Sequence, residues 1–595
     1  MVQMYLSSVE VQGYRASATG PVECQLPGRF SLLIGANGAG KTTINEAVVQ
    51  AHRHRFPRLP PVDASVLGVP PRAVRVEYSF EPDPTDEGAL GSLLQGMGFS
   101  APSWGRPLER SLGRVRAGIP VDATEGHDNV RLVYLPALRN PVDELSRKDA
   151  QVLLELLRAE HLRNPADGGL PTLRAKAERM LSSLTAHQLV ANLEGRIAEQ
   201  LSTLSGGLQE HHAFVGTQRV DDAYLARVFE MLLATFPDRG EARRLEASSL
   251  GYVNLLHIAI TLAGIPDPST TRSGAADHGE VRAHGDATEP VESIDAEKAR
   301  HRLSEVSRSA ESDQDSFFPD VFHATVLIEE PEAHLHPQMQ YGLIRYLRRV
   351  VRERRDLQVI VTSHSGEIAA ATDPSEIVVV RRGKDGRPGG RQVGALPVPP
   401  ATKKALFQQT RLHLDASRSA ALFGDRVLVV EGVTEAALLR VLGRAWAASD
   451  RKKTAFIDAL PIVPVGHKVG EWPVRMLATQ GFELVRKVAA LADTDLRGEP
   501  LPAPSAPRWH SVLNGDSARF FWSRPTLEPT LVPGNEAAVE TALANIGVTP
   551  SSTPVTADVI DTDFAGAQKK RKGDFSIALA GAQDENRGAA TVPPQ

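Results

Sequence analysis

An apolar run from Phe30 to Ile34 leads without a break into GANGAGKT, residues 35–42, and then into a helical pattern. This constrains the fold tightly, because such a turn works only where a strand delivers the chain to a helix N-terminus. The glycines let the backbone curl so that its N–H groups face phosphate oxygens, and the helix N-terminus adds positive potential. The expected nucleotide contacts are Gly35, Asn37, Gly38, Gly40, Lys41, Thr42 and Thr43. Lys41 would neutralise the β- and γ-phosphates of ATP, and Thr42 would support Mg²⁺. An anion-binding turn with no nucleotide is the plainer alternative.

Two later strand ends extend this pattern. TVLIEEPEAHLHP, residues 325–337, is an apolar strand closing on paired acids. Glu329 is expected to hold Mg²⁺ through water and Glu330 to polarise the attacking water. Most ATPases of this kind carry Asp at the first position, so glutamate is a departure. VIVTSHS, residues 359–365, places His364 where ABC-type ATPases carry a histidine that senses the γ-phosphate. Such ATPases also need a signature motif from a second protomer, and two candidates compete. LSGG at 204–207 matches by letter, whereas SSLGYVN at 248–254 precedes an apolar helix and stands in the right order before the paired acids. Order favours Ser249 and Gly251, leaving LSGG as a loop between helices.

The second half repeats the strand-and-acid theme. DRVLVVEGVTEAALL, residues 425–439, is an apolar strand ending at Glu431, with Glu435 in the first turn of the next helix. About 60 residues later LADTD closes another strand pattern with Asp493 and Asp495. In a parallel α/β sheet both strand ends lie at one edge, so Glu431, Asp493 and Asp495 would converge on a divalent metal. Carboxylate oxygens select Mg²⁺ or Mn²⁺. Either cluster alone would pass for a surface turn.

At 595 residues the chain exceeds one hydrophobic core, so two or more domains are expected. Its 42% apolar and 23% charged content is that of a folded globular protein. A net charge of -5 leaves any nucleic-acid contact to local patches. The single cysteine, Cys24, excludes an internal disulfide and a zinc ribbon, and fits a cytoplasmic protein. The N-terminus has no leader pattern, and the apolar stretch from Val253 to Ile265 is too short to span a bilayer.

The expected organisation is α/β throughout: an ABC-type ATPase domain over 1–400, then a Rossmann-like domain over 401–580. Helical periodicity over 141–241, including Val152, Leu156, Tyr224, Val228, Leu232 and Leu233, suggests a dimerisation insertion. Residues 267–315 have few large apolar side chains and read as a disordered insertion. A Gly- and Pro-rich turn region over 383–400 closes the first half, and 581–595 read as a flexible tail.

Taken together, VQGYR near the start, the glycine-rich turn, VYLPALR at 133–139, EEPEAHLHP, TSHS and SAALFGDRVLVVEGVTEA resemble the OLD (overcoming lysogenization defect) family of ATP-dependent endonucleases. That resemblance covers nearly the whole chain and implies a C-terminal Toprim nuclease domain. It also extends to the nuclease subunit of the Gabija anti-phage system, which pairs with a helicase-like protein. It implies a metal set of Glu431, Glu435, Asp493 and Asp495, with Glu528 of TLE as a further position, and a catalytic lysine in RKGDF, Lys572. A lysine there would neutralise charge developing on a scissile phosphate; a solvated basic run is the alternative for KKRK, 569–572. The partners implied are DNA, a homodimer or higher assembly, and a helicase-like protein.

Other functions fit less well. A topoisomerase needs a tyrosine nucleophile, and no tyrosine follows Tyr346. A primase of this kind carries a zinc ribbon, which one cysteine cannot build. A DNA clamp or repair ATPase resembling SMC and RecF proteins would leave the second set of acids without a role, and the long heptads of SMC proteins are not seen.

Overall fold

In a computed structural model the described residues are 3–13, 15, 20–51, 55–56, 74–83, 108–112, 130–137, 153, 156–161, 169–204, 214–215, 220–221, 224–225, 231–267 except 236 and 238, 317–318, 322–498 except 355, 384, 385 and 467, and 515–585. The segment expected to be a disordered insertion lies outside them almost entirely, as do Ser205 to Gly207 of LSGG.

Eleven strands among these residues form one sheet. They are β1 (Gln3–Gln12), β2 (Val22–Gln25), β3 (Phe30–Ile34), β4 (Arg55–Phe56), β5 (Val74–Asp83), β6 (Leu108–Leu112), β7 (Val130–Leu135), β10 (His323–Glu329), β11 (Leu357–Ser363), β12 (Ile377–Arg382) and β13 (Pro388–Gln392). The order across the sheet is β4-β7-β10-β11-β3-β12-β13-β2-β1-β5-β6. From β4 to β12 every pairing is parallel, whereas β1 pairs antiparallel with both β2 and β5. Sequence explains the division. FSLLI and LQVIVTS are buried at every position, as strands covered on both faces must be, while VECQ alternates buried and exposed as a one-sided strand does. The short strands β8 (Leu232–Leu233) and β9 (Arg243–Arg244) pair apart from this sheet.

A second sheet holds β14 (Arg426–Val430), β15 (Ile462–Pro464), β16 (Lys487–Asp493) and β17 (Ala518–Ser523), in the order β15-β14-β16-β17. All three pairings are parallel, which puts the four C-terminal ends at one edge. The two sheets share their apolar interior. Ile34 and Val361 of the first, Leu406 and Phe407 of the helix Pro400–His413, and Trp472, Val488 and Ala490 of the second belong to one continuous core. Fully burying a side chain of this size contributes about 1.5–3 kcal/mol. A smaller core of Leu438, Leu527, Val539, Phe564, Phe575 and Leu579 seats the C-terminal helices.

Three sequence expectations are corrected. The region over 383–400 is more than a turn: β13 lies within it, ordered between β12 and β2. Pro388 opens that strand, where a missing N–H is tolerated, and a Cβ on Gly390 would come within 2.8 Å of Cys24 Sγ. Leu232 and Leu233, counted as helical, pair with Arg243 and Arg244 in a short antiparallel ladder. Leu233 packs there against Leu245, Val253 and Ile260. The helix Lys572–Glu585 takes up the first five residues read as a tail, because Leu579 and Ala582 are buried; 586–595 lie outside the described residues. In the proposed helical insertion, Gly169–Thr185 and Gln188–Leu204 are helices.

Candidate nucleotide site and acidic centre

The glycine-rich turn, the end of β10 and the end of β11 meet because β11 lies between β10 and β3 in the sheet. They enclose a cavity of about 390 Å³ lined by Asn37, Gly38, Gly40, Lys41, Thr42 and Thr43, together with Glu330, His364, Arg15 and Arg382. Gly40 has φ +114°, and a Cβ there would come within 2.4 Å of Pro388 Cβ. Gly35 lies just behind, where a Cβ would meet the Val380 carbonyl oxygen at 2.2 Å. Both positions therefore require glycine.

Lys41 is buried and donates to the carbonyls of Gly35 at 2.7 Å and Ala36 at 3.3 Å. Burial pulls its ammonium down to about 8, with Glu330 and Glu332 acting in the opposite direction. Glu329 accepts from Asn45 Nδ2 at 2.7 Å and from the Tyr134 hydroxyl at 3.0 Å. Its carboxyl is raised, burial outweighing those bonds. Glu330 sits at φ +45°, fixed by its N–H donating to the Thr362 carbonyl at 2.8 Å. Such strain in a side-chain-bearing residue is typical of sites where a group must be aimed. Its carboxylate is 3.6 Å from His364 Nε2. The His364 N–H donates to Glu332 at 2.7 Å, and burial and then Lys41 lower the imidazole's pKa.

Ser249 and Gly251 open the helix Leu250–Ala263 and do not line this cavity. Ser249 is exposed, while Gly251 is buried so closely that a Cβ would meet the His334 carbonyl oxygen at 2.5 Å. Asn254 Nδ2 donates to the carbonyls of Pro331 and Ala333 at 3.1 and 3.0 Å, tying the helix to the loop after the paired acids.

The second cluster occupies the C-terminal edge of the smaller sheet. Glu431 follows β14 and accepts from the Asp493 N–H at 3.2 Å. Asp493 ends β16, and its carboxyl is pushed up to about 8, by burial first and then by the negative charges of Glu431, Glu528 and Glu435. Lys572 acts against that rise. Glu528 is buried in the short helix after β17 and accepts from Lys572 Nζ at 2.9 Å and the Thr526 hydroxyl at 2.7 Å. Asp495, at φ +54°, pairs with Lys468 at 2.8 Å. Glu435 lies in the first turn of Val433–Ala447, where its carboxylate accepts from the Thr434 hydroxyl at 3.0 Å. Four carboxylates and Lys572 thus feel one another at one sheet edge. Among the described residues no three acidic, histidine or cysteine side chains stand, as placed, in a group that could hold a metal ion.

Sequence reading missed Asn45, Tyr134, Arg15, Arg382 and Lys468. Tyr134 and Arg15 stand inside stretches that carried the family resemblance, VYLPALR and VQGYR. Asn45 lies one helical turn beyond Lys41, a spacing that places it on the same helix face. Arg382 and Lys468 had no local signal.

Residues 306–369 match a family model described as an AAA ATPase domain. An OLD nuclease of Thermus scotoductus is 33% identical over 143 residues, which are 22% of this chain and 25% of that protein. The chain therefore matches about a quarter of that relative's length. Among solved structures, the Smc head domain of Pyrococcus furiosus is 15% identical, with a TM-score of 0.30 over 69% of this chain and 100% of that one. Stu0660 of Streptococcus thermophilus is 8% identical, with a TM-score of 0.32 over 68% of this chain and 85% of its own. The chain has an α/β P-loop ATPase-like fold and an ATPase domain, and is distantly similar to an OLD nuclease. No helix among the described residues is long and apolar enough to cross a membrane.

Proposed function

We propose that the chain is an ATP-binding, divalent-metal-dependent DNA endonuclease in which the smaller sheet is a Toprim nuclease domain and the larger sheet a nucleotide-responsive ATPase. One observation carries this reading: Glu431, Asp493, Glu528 and Lys572 are gathered at the C-terminal edge of a parallel sheet, where burial and then the charges of Glu431, Glu528 and Glu435 push the Asp493 carboxyl up to about 8. Hard oxygen donors whose mutual repulsion Lys572 and Lys468 offset only in part suit Mg²⁺ or Mn²⁺. Glu431, Glu435, Asp493, Asp495 and Glu528 would hold the metal, which supplies hydroxide near neutral pH and polarises phosphate oxygens. Lys572, freed from Glu528, would offset charge growing on the phosphate.

At the larger sheet, Lys41 and the turn N–H groups would bind the phosphates of ATP, with Thr42 and Glu329 around Mg²⁺. Glu330 would orient water and His364 would read the γ-phosphate. Ser249 and Gly251 would complete the site of a second protomer in a homodimer or higher assembly, which fits Ser249 facing outward. Anti-phage defence with a helicase-like partner follows from the resemblance to the OLD and Gabija nucleases. Supercoiled and linear DNA incubated with the full chain and Mg²⁺ or Mn²⁺, with and without ATP, tests the proposal. Metal-dependent cutting supports it, and ATP hydrolysis with no cutting under any of these conditions would favour an ATP-driven DNA clamp.

A further inference from the structure

A second and larger cleft, of about 630 Å³, lies between the β12–β13 hairpin and the starts of β14, β16 and β17. This is the edge of the smaller sheet opposite the acidic centre, since Asp425, Arg486 and Ser517 precede those three strands. Its walls carry five arginines, Arg381, Arg382, Arg387, Arg391 and Arg486, against three carboxylates, Glu23, Asp425 and Glu483. The volume is that of a small-molecule site.

Arg381 forms the half-buried floor on this side. Its guanidinium donates to two neutral acceptors, the carbonyls of Leu422 at 2.9 Å and Gly424 at 2.7 Å, and its Nε is buried with no acceptor. Burial lowers this arginine to about 10; Asp425 works against the shift and Arg391 adds to it. The nearby ion pairs are loose, with Arg486–Asp425 at 3.9 Å and Arg391–Glu483 at 3.5 Å. Arg391 also lies over the Phe482 ring at 5.9 Å. The side chains open to a ligand are the exposed Arg382, Arg387, Arg391 and Arg486, and planar donor forks suit phosphate oxygens.

We propose that this arginine-lined cleft binds a small polyphosphate anion, either inorganic or the phosphate arm of a nucleotide, at a site distinct from the glycine-rich turn. Its place is suited to communication. Arg382 lines both cavities and donates to the Gly38 carbonyl at 2.8 Å, and Arg391 donates to the Glu483 carbonyl at 2.8 Å just ahead of β16. An anion in the cleft would contact a hairpin that touches both the nucleotide turn and the smaller sheet.

The proposal stands apart from the nuclease reading, and its test measures binding. Tripolyphosphate and ATP are titrated calorimetrically into the full-length Lys41→Ala variant, which disables the glycine-rich turn, and into the same chain carrying Arg391→Ala and Arg486→Ala. Both added substitutions fall on exposed side chains, and circular dichroism confirms that the chain is folded. Binding of tripolyphosphate to Lys41→Ala that weakens at least tenfold in the triple variant supports the site. Similar affinity for the two probes assigns recognition to the phosphates alone, and tighter ATP binding assigns a nucleotide. No binding to Lys41→Ala, or equal binding to the triple variant, overturns the proposal.

Discussion

Raising the pH of the metal-free chain from 5 to 8 should destabilise it, and Asp493→Asn should remove most of that loss. In the folded protein the Asp493 carboxyl is shifted from 3.8 to about 8 because burial, Glu431, Glu528 and Glu435 all disfavour its charge. The unfolded chain ionises it near its ordinary value. A folded-state value above the unfolded one means that the stabilisation is complete below pH 4 and disappears as pH rises through 8. At about 1.4 kcal/mol per pH unit, the interval from pH 5 to pH 8 is worth at most about 4 kcal/mol. For a domain of this size that corresponds to a shift on the order of 10 °C in the melting transition. The neutral asparagine cannot repel its neighbours, so the variant should melt above wild type at pH 8 and close to it at pH 5. A residual slope remains, because the Glu431 carboxyl is raised as well. Saturating Mn²⁺ at pH 8 should raise the wild-type transition and leave the variant nearly unmoved. Differential scanning calorimetry in chelator and in Mn²⁺ makes the comparison. Coincident wild-type and variant transitions at pH 8 would refute the claim that these carboxylates crowd one another.

Three other outcomes are expected. Lys41→Ala should abolish ATP binding, and wild-type affinity should fall by up to about tenfold per pH unit above 8, where Lys41 loses its proton; calorimetry at pH 7 and 9 reads both effects. Lys572→Ala should slow DNA cleavage while Mn²⁺ still binds, because its charge is directed at phosphate rather than metal; a stopped assay paired with a metal titration separates the two. The chain should be at least a dimer by light scattering at micromolar concentration, and should remain so in Lys41→Ala; a monomer would remove the second protomer that Ser249 and Gly251 are proposed to serve.

What sequence revealed was whatever depends on local spacing. The turn from Gly35 to Thr42 needs a strand before it and a helix after it, and β3 and the helix Lys41–Ala51 are both present. The acids at 329–330, 431 and 493 end apolar strands, and strands ending in acids were visible as patterns. What escaped depends on which distant segments meet. Glu329 is held by residues 284 and 195 positions away, and nothing near it announces Asn45 or Tyr134. Lys468 meets Asp495 only because β15 and β16 flank β14. β13 was hidden by its own composition: PGGRQ has the letters of a turn, and only the close approach of Cys24 explains a glycine in that strand. The shared core was also invisible, since Pro400 marks a helix start and not a break in packing.

The acidic centre at the ends of β14 and β16 is where the proposed nuclease chemistry takes place. Its most direct test is cleavage of supercoiled plasmid by wild type and by Asp493→Asn, at matched concentration in Mg²⁺ and in Mn²⁺, with ATP binding measured on the same samples. The expected result is metal-dependent cutting by wild type and none by the variant, with ATP affinity the same in both. Cutting by Asp493→Asn at the wild-type rate in both metals would contradict the assignment.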